Sequence, residues 1–348
     1  MARGGRSPVL TVQVDVDTVG SLLRFYGFDA PRSTEDPVYR LALPRFAALF
    51  DVAGVRATFF VVGEDLIPSA NRDVVRRLHA AGHEIANHTH RHDYHFLRSS
   101  RLEKREEIAR AGEMIERATG EVAVGFRAPG YGLDEEVLDA LTELGYRYDA
   151  SVMPSVLTLP MKVCHWLLSG QWNGAGYGRA ALSVAPNRPY RPAAGAIWRA
   201  GGAGSLWELP VTCVPYLRLP FYAHFNLFTG DPLFRLSAAL AAGMDCNYVF
   251  HGVEMLDPRE LDPRIRRHPN ARLPLPRKRA RCRAMLEALR SGRRPMVSRD
   301  FVAELTPSAA GGPCRKGAGG PHGTGSRVGV GGGLVGPEQC EHGAWTDP

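Results

Sequence analysis

Between Gly82 and His92 the chain carries four histidines, His83, His88, His90 and His92, with His95 close behind. A neutral imidazole offers a ring nitrogen as a lone pair near neutral pH, so such a cluster suits a zinc-like divalent ion. Two rings are in reach of one ion, and a third ligand must come from elsewhere. Asp15 and Asp17 close the apolar run Val9–Val14. Burying a charge is costly, so two carboxylates at the end of an apolar strand point to a metal, to proton transfer, or to both. The bland alternatives are a solvated polar loop for the histidines and a strand-end turn capped by Asp17. Arg127 and His251 end two further apolar runs. One aspartate with two histidines makes a three-ligand site that keeps a position open, which is the catalytic arrangement. The spare carboxylate is then placed to take a proton from water, and His251 to protonate a leaving group.

Such groups need a scaffold that gathers strand ends. Val9–Val14, Arg56–Val62, Glu84–Asn87, Val122–Phe126 and Cys246–Phe250 read as buried strands. Leu41–Ala53, Asn71–Ala81, Leu102–Thr119 and Asp134–Leu144 read as helices, each closed by a glycine. The alternation predicts βαβ units around a parallel sheet or barrel, with functional groups on the loops that follow the strands. Residues 156–205 sustain no period and read as a long irregular insertion that covers a cleft or is partly mobile. Residues 214–236 are dense in aromatic and aliphatic side chains, read as core, with a lipid-facing or substrate-lining surface as the alternative. A basic helix over Leu275–Arg290, then Met296–Val297 and a short helix Asp300–Leu305, follow. One domain over 9–306 is expected, after a flexible 1–8 and before a glycine-rich, disordered 307–348.

The chain has 348 residues, 44% of them hydrophobic and 23% charged, as in an ordinary globular protein. Its net charge of +7 invites nucleic acid as a partner, but the basic residues gather in 259–294 without interleaved aromatics. No nucleic acid partner is expected. Six cysteines stand singly with no CxxC pair, against a zinc ribbon or a disulfide framework. The polar start Met1–Pro8, and an apolar run interrupted by Asp15 and Asp17, do not make a signal peptide, so the expected address is the cytoplasm.

At these residues the chain resembles the metal-dependent polysaccharide deacetylases with the NodB homology domain. Val14–Thr18 is similar to the first motif of that family, which holds a base and a metal-ligand aspartate. The stretch from Gly82 to His92 matches its H-[ST]-x-x-H motif, which carries the two metal histidines to His88 and His92 and leaves His90 a passenger. Phe126–Tyr131 resembles the R-x-P motif, in which the arginine orients the catalytic aspartate and a following backbone N–H stabilises the oxyanion. Phe250–His251 stands where the family has a leucine-histidine pair with the acid histidine. Two departures are visible: Val16 separates aspartates that are adjacent in the common motif, as in the deformylases of lipid-linked 4-amino-arabinose, and Gly130 follows the proline where many members have an aromatic residue.

The resemblance implies an α/β fold, a distorted (β/α) barrel of the NodB type, as a single domain with a long insertion. It implies a divalent metal, zinc first, on Asp17, His88 and His92; Asp15 as base, oriented by Arg127; His251 as acid; and Tyr131 at the oxyanion loop. The expected reaction is hydrolysis of an N-acyl group, foremost acetyl, from an amino sugar of a polysaccharide or oligosaccharide. Two rivals stand beside it. One is a deformylase or deacetylase of a lipid-linked amino sugar in peripheral contact with the inner membrane face; the other is a catalytically silent carbohydrate-binding relative.

Overall fold

The computed structural model describes residues 6–306 apart from 31, 32, 34, 159, 161, 162, 164–179 and 266–268. The expected disordered tail 307–348, Cys164, Cys314 and Cys340 lie outside the described residues.

A parallel sheet curls into a half-barrel. Its strands are β1 Val9–Asp15, β2 Ala57–Val61, β3 Glu84–Asn87, β4 Gly125–Phe126, β5 Tyr148–Asp149, β8 Trp207–Glu208, β9 Cys246–His251 and β10 Arg294–Pro295. The order is β10-β1-β2-β3-β4-β5-β8, and β9 also pairs with β1, in register from Leu10 opposite Cys246 to Asp15 opposite His251. Past β8 the chain returns to β9, where the Thr212 amide donates to the Asn247 carbonyl at 3.2 Å. Every crossover therefore brings a strand end to one rim of the barrel.

Alternation along the strands decides what that rim carries. Leu10, Val12 and Val14 of β1 point outward into the core shared with the surrounding helices. Thr11, Gln13 and Asp15 point inward, where Thr11 bonds Asn247, Gln13 bonds Ser298 and Asp15 meets Arg127. Both faces are buried, so the strand reads as a continuous apolar run although its inner face is polar. Helices cover the outside. Arg101–Thr119 starts at a Ser100–Glu103 capping box and stops at Gly120, and Leu275–Arg290 has the bounds that its composition predicts.

Three local expectations need correction. The helix predicted from Leu41 is entered through a π-helical turn, Val38–Ala42, just before Pro44, which has no amide for an α-turn. Only Gly125–Phe126 of the predicted strand Val122–Phe126 pairs. Within 156–205, the described part holds a 3₁₀ turn, Ala180–Val184, and a hairpin of β6 Pro192–Ala193 with β7 Ala196–Ala200. Cys213, Cys246 and Cys282 are buried and unpaired. Among the described residues no helix is long and apolar enough to cross a membrane.

Candidate active site and metal centre

The strand ends of β1 and β3 bring three lone pairs together. Asp17 Oδ1 lies 2.9 Å from His92 Nε2 and 3.3 Å from His88 Nε2. The two Nε2 atoms are 3.2 Å apart. Four ligands about 2.0 Å from a zinc ion are about 3.3 Å from one another in a tetrahedron, so these spacings are those of three of its corners. The tautomer agrees: His88 Nδ1 donates to the Arg127 carbonyl at 2.7 Å, which leaves Nε2 to face the other two atoms. Asp17 Oδ1 is buried with no hydrogen-bond donor in good geometry. One proton relieves one of these contacts, whereas a dication satisfies all three.

Local sequence sets this convergence. Thr89 and His92 both have left-handed backbones, φ 64° and 52°, which few non-glycine residues adopt. The turn is held by Asn87, whose Oδ1 accepts the Thr89 amide, and by Thr89 Oγ1, which accepts the His92 amide. Such strain costs about 1–3 kcal/mol per residue and gathers where function requires a fixed geometry. The remaining histidines serve elsewhere. His83 is packed against Phe50 and Phe59 and accepts the Ala57 amide, and burial pushes its pKa down to about 4. His95 is exposed beside Asp93.

Electrostatics follow burial first. Burial raises the Asp17 pKa, but His92 and His88 outweigh it and hold the carboxyl well below its usual range. Burial likewise drives both imidazoles towards neutrality; Asp17 prevails over it at His88 and not at His92.

Asp15 is 3% exposed and sits one inward-facing position before Asp17. Arg127, fully buried, donates through Nη1 to Asp15 Oδ1 at 2.5 Å, through Nη2 to Gln13 and through Nε to the Ala150 carbonyl at 2.8 Å. Its guanidinium is thereby fixed, and Phe60 packs beneath it at 4.3 Å. Asp15 Oδ2 is left facing His251 Nε2 at 3.8 Å.

His251 ends β9, and Gly252 lets it close on the first motif. A Cβ at Gly252 would stand 2.5 Å from Val38 and 3.1 Å from the Asp17 carbonyl. Glu254, within the next turn, puts Oε1 3.5 Å from His251 Nδ1 and 3.3 Å from His224 Nδ1. Burial works against the charged imidazole, yet Glu254, with Asp15 and Asp17 behind it, pushes the His251 pKa up to about 9. Glu254 is held low by His224 and His251 in spite of its burial.

Tyr131 lies on the same rim, at φ 60° and 8% exposed, and its hydroxyl has no hydrogen-bond partner among the described residues. Its amide donates to the Ala128 carbonyl and the Gly132 amide to the Pro129 carbonyl, while the Ala128 amide donates to Ser151 Oγ. Among the described residues the Gly130 amide meets no acceptor, and a φ of 60° at this position suits glycine.

All seven residues singled out in the sequence, Asp15, Asp17, His88, His92, Arg127, Tyr131 and His251, thus stand at one rim. Gln13, His224 and Glu254 join them unforeseen. Only the position of Glu254, three residues after His251, was a signal.

The fold and site together are a curled parallel half-barrel with an Asp-His-His cluster at its strand ends that could hold a metal ion. Residues 33–148 match the family model of polysaccharide deacetylase, the family that the motifs resemble. That span holds His88, His92, Arg127 and Tyr131. A peptidoglycan deacetylase of Helicobacter pylori (strain ATCC 700392 / 26695) is 26% identical over 148 residues, 42% of this chain and 50% of that protein. The chain thus spans about half the length of that curated relative. Two solved structures share the fold. One, from Mycobacterium smegmatis and carrying the name polysaccharide deacetylase, is 20% identical with a TM-score of 0.54, over 90% of this chain and 96% of that one. The other, Puue allantoinase, is 15% identical with a TM-score of 0.53, over 85% and 89%. The distorted barrel expected from the motifs is the fold observed, and residues 33–148 are similar to the polysaccharide deacetylases.

Proposed function

We propose that this protein removes an N-acyl group, foremost acetyl, from an amino sugar of a glycan by metal-dependent hydrolysis. The observation that carries the reading is the placement of a carboxylate, Asp15, and an imidazole, His251, 3.8 Å apart beside three converging lone pairs. A divalent ion, zinc first, held by Asp17, His88 and His92 would polarise the amide carbonyl and make water a better nucleophile. Asp15, with Oδ1 committed to Arg127, presents Oδ2 to take the proton from that water. A backbone N–H of the Ala128–Tyr131 turn, the Gly130 amide first, would meet the oxygen on which charge develops. His251, cationic at neutral pH and anchored through Nδ1 by Glu254, gives its Nε2 proton to the departing amine as the C–N bond breaks. The catalytically silent reading has less support, because base, acid and ligand set are all present.

Likeness to a peptidoglycan deacetylase supports N-acetylated glycan strands as the first substrates. A second reading, a lipid-linked amino sugar at the membrane surface, is favoured by one feature. Tyr216 is 98% exposed, and Phe228, Leu236 and Leu217 are each more than half exposed, within the stretch whose apolar content suggested core. Incubation with N-acetylated and N-formylated sugars, free and lipid-linked, followed by mass spectrometry, separates the two. Turnover of lipid-linked sugars alone would reject the glycan reading, and turnover of neither would reject both. The cytoplasmic address is kept as part of the proposal.

A further inference from the structure

Below the rim, Asp149 and Glu208 end adjacent parallel strands as register partners, and both are 0% exposed. Their carboxyl groups meet. Two carboxylates contain no donor, and like charges this close in a buried site do not both persist. Arg127, the cation whose field reaches both groups, carries one positive charge, and that charge is already paired with Asp15. Tyr190, a titratable neighbour of both, gives its hydroxyl proton to the Ile197 carbonyl.

The donors present show which group carries a proton. Both Asp149 oxygens accept: Oδ1 from Ser151 Oγ at 2.6 Å and Oδ2 from the Ser151 amide at 3.0 Å. Glu208 Oε1 accepts the Val152 amide at 3.1 Å, whereas Oε2 is buried with no donor facing it. Ser151 Oγ in turn accepts the Ala128 amide at 2.8 Å, at the start of the turn that carries Gly130 and Tyr131.

We propose that Asp149 and Glu208 share one proton, resident on Glu208 Oε2, and that the pair positions the Ala128–Tyr131 turn through Ser151. A single negative charge then stands behind Arg127, and its cation stays directed to Asp15. Burial raises the pKa of both carboxyl groups, in agreement. The positioning role rests on the reaction proposed above; the proton does not.

Two measurements test this separately. Infrared spectroscopy of the wild-type protein near neutral pH should show a protonated carboxyl C=O band that shifts with carbon-13-labelled glutamate. The band should vanish in Glu208→Gln and survive in Glu84→Gln, the other buried glutamate with a raised pKa. Absence of the band from the wild type, or its loss in Glu84→Gln with survival in Glu208→Gln, overturns the proton assignment even if a variant fails to fold. In deacylation assays Glu208→Gln, whose amide donates as the acid does, should keep kcat within about twofold. Glu208→Ala and Asp149→Asn should lose about 10–100-fold in kcat with KM and metal content unchanged, the usual cost of a supporting partner. Equal losses for Glu208→Gln and Asp149→Asn would overturn the pair. A protein with the band and no deacylase activity would reject the reaction alone.

Discussion

The Arg127 carbonyl accepts the Nδ1 proton of His88 at 2.7 Å, so one residue sets the tautomer of a proposed metal ligand through its backbone and holds Asp15 through its side chain. The proposed metal centre and the proposed proton-transfer residues are therefore mechanically joined. Displacing Arg127 disturbs both, and each can still be tested alone by changing residues that belong to only one.

The first expectation concerns the metal. Purified protein should bind about one equivalent of zinc or a similar ion, and His88→Ala with His92→Ala should abolish binding, read by mass-spectrometric metal analysis. Full metal content in the double variant would place the ion elsewhere.

Proton transfer is separable from this. Asp15→Asn and His251→Ala should each retain the metal and lower kcat by about 100 to 10,000-fold, the usual range for a general acid or base. Loss of metal in Asp15→Asn would exchange the roles of Asp15 and Asp17.

How far these residues were legible in the sequence depended on chemistry that travels with a strand. The runs ending at Asp15, Asn87, Phe126 and His251 announce themselves because both faces are buried and their ends are polar. The chain order also carried the barrel, since helix, glycine and strand recur. Gln13 was not legible, because an inward polar residue within an apolar run has no pattern of its own. Glu208 was hidden for the same reason, in a two-residue strand, and its relation to Asp149 exists only in the sheet register. His224 sits in a stretch whose aromatic content reads as core, and its partner Glu254 is 30 residues away. The hairpin Pro192–Ala193 with Ala196–Ala200 lies where proline and glycine mask a period.

The pH profile follows from His251, whose pKa stands near 9 against an ordinary 6.5 because Glu254, Asp15 and Asp17 face it. The acid must be protonated, so kcat should fall as pH rises through about 9. Glu254→Gln should move that limb towards 6.5 without loss of metal. The linkage to stability has the same sign. The folded state holds this proton more tightly, so the contribution is complete below about 6.5 and lost as pH rises through about 9. An unmoved alkaline limb in Glu254→Gln would assign it to another group.

Arg127→Ala removes a buried cation and leaves Asp15 and Gln13 without their donor. Breaking one side of a buried pair costs about 3–5 kcal/mol, which urea unfolding would read as a lower midpoint with an unchanged slope. A loss below about 1 kcal/mol would show that water or another donor replaces the guanidinium.

The most direct test of the account is acetate release from an N-acetylated glycan strand, measured on one preparation before chelation, after it, and after stepwise return of zinc. The account predicts that release is lost with the ion and returns in proportion to zinc up to about one equivalent, with Asp15→Asn inactive at full loading. Release that survives complete removal of the ion, or that Asp15→Asn performs at the wild-type rate, would contradict it.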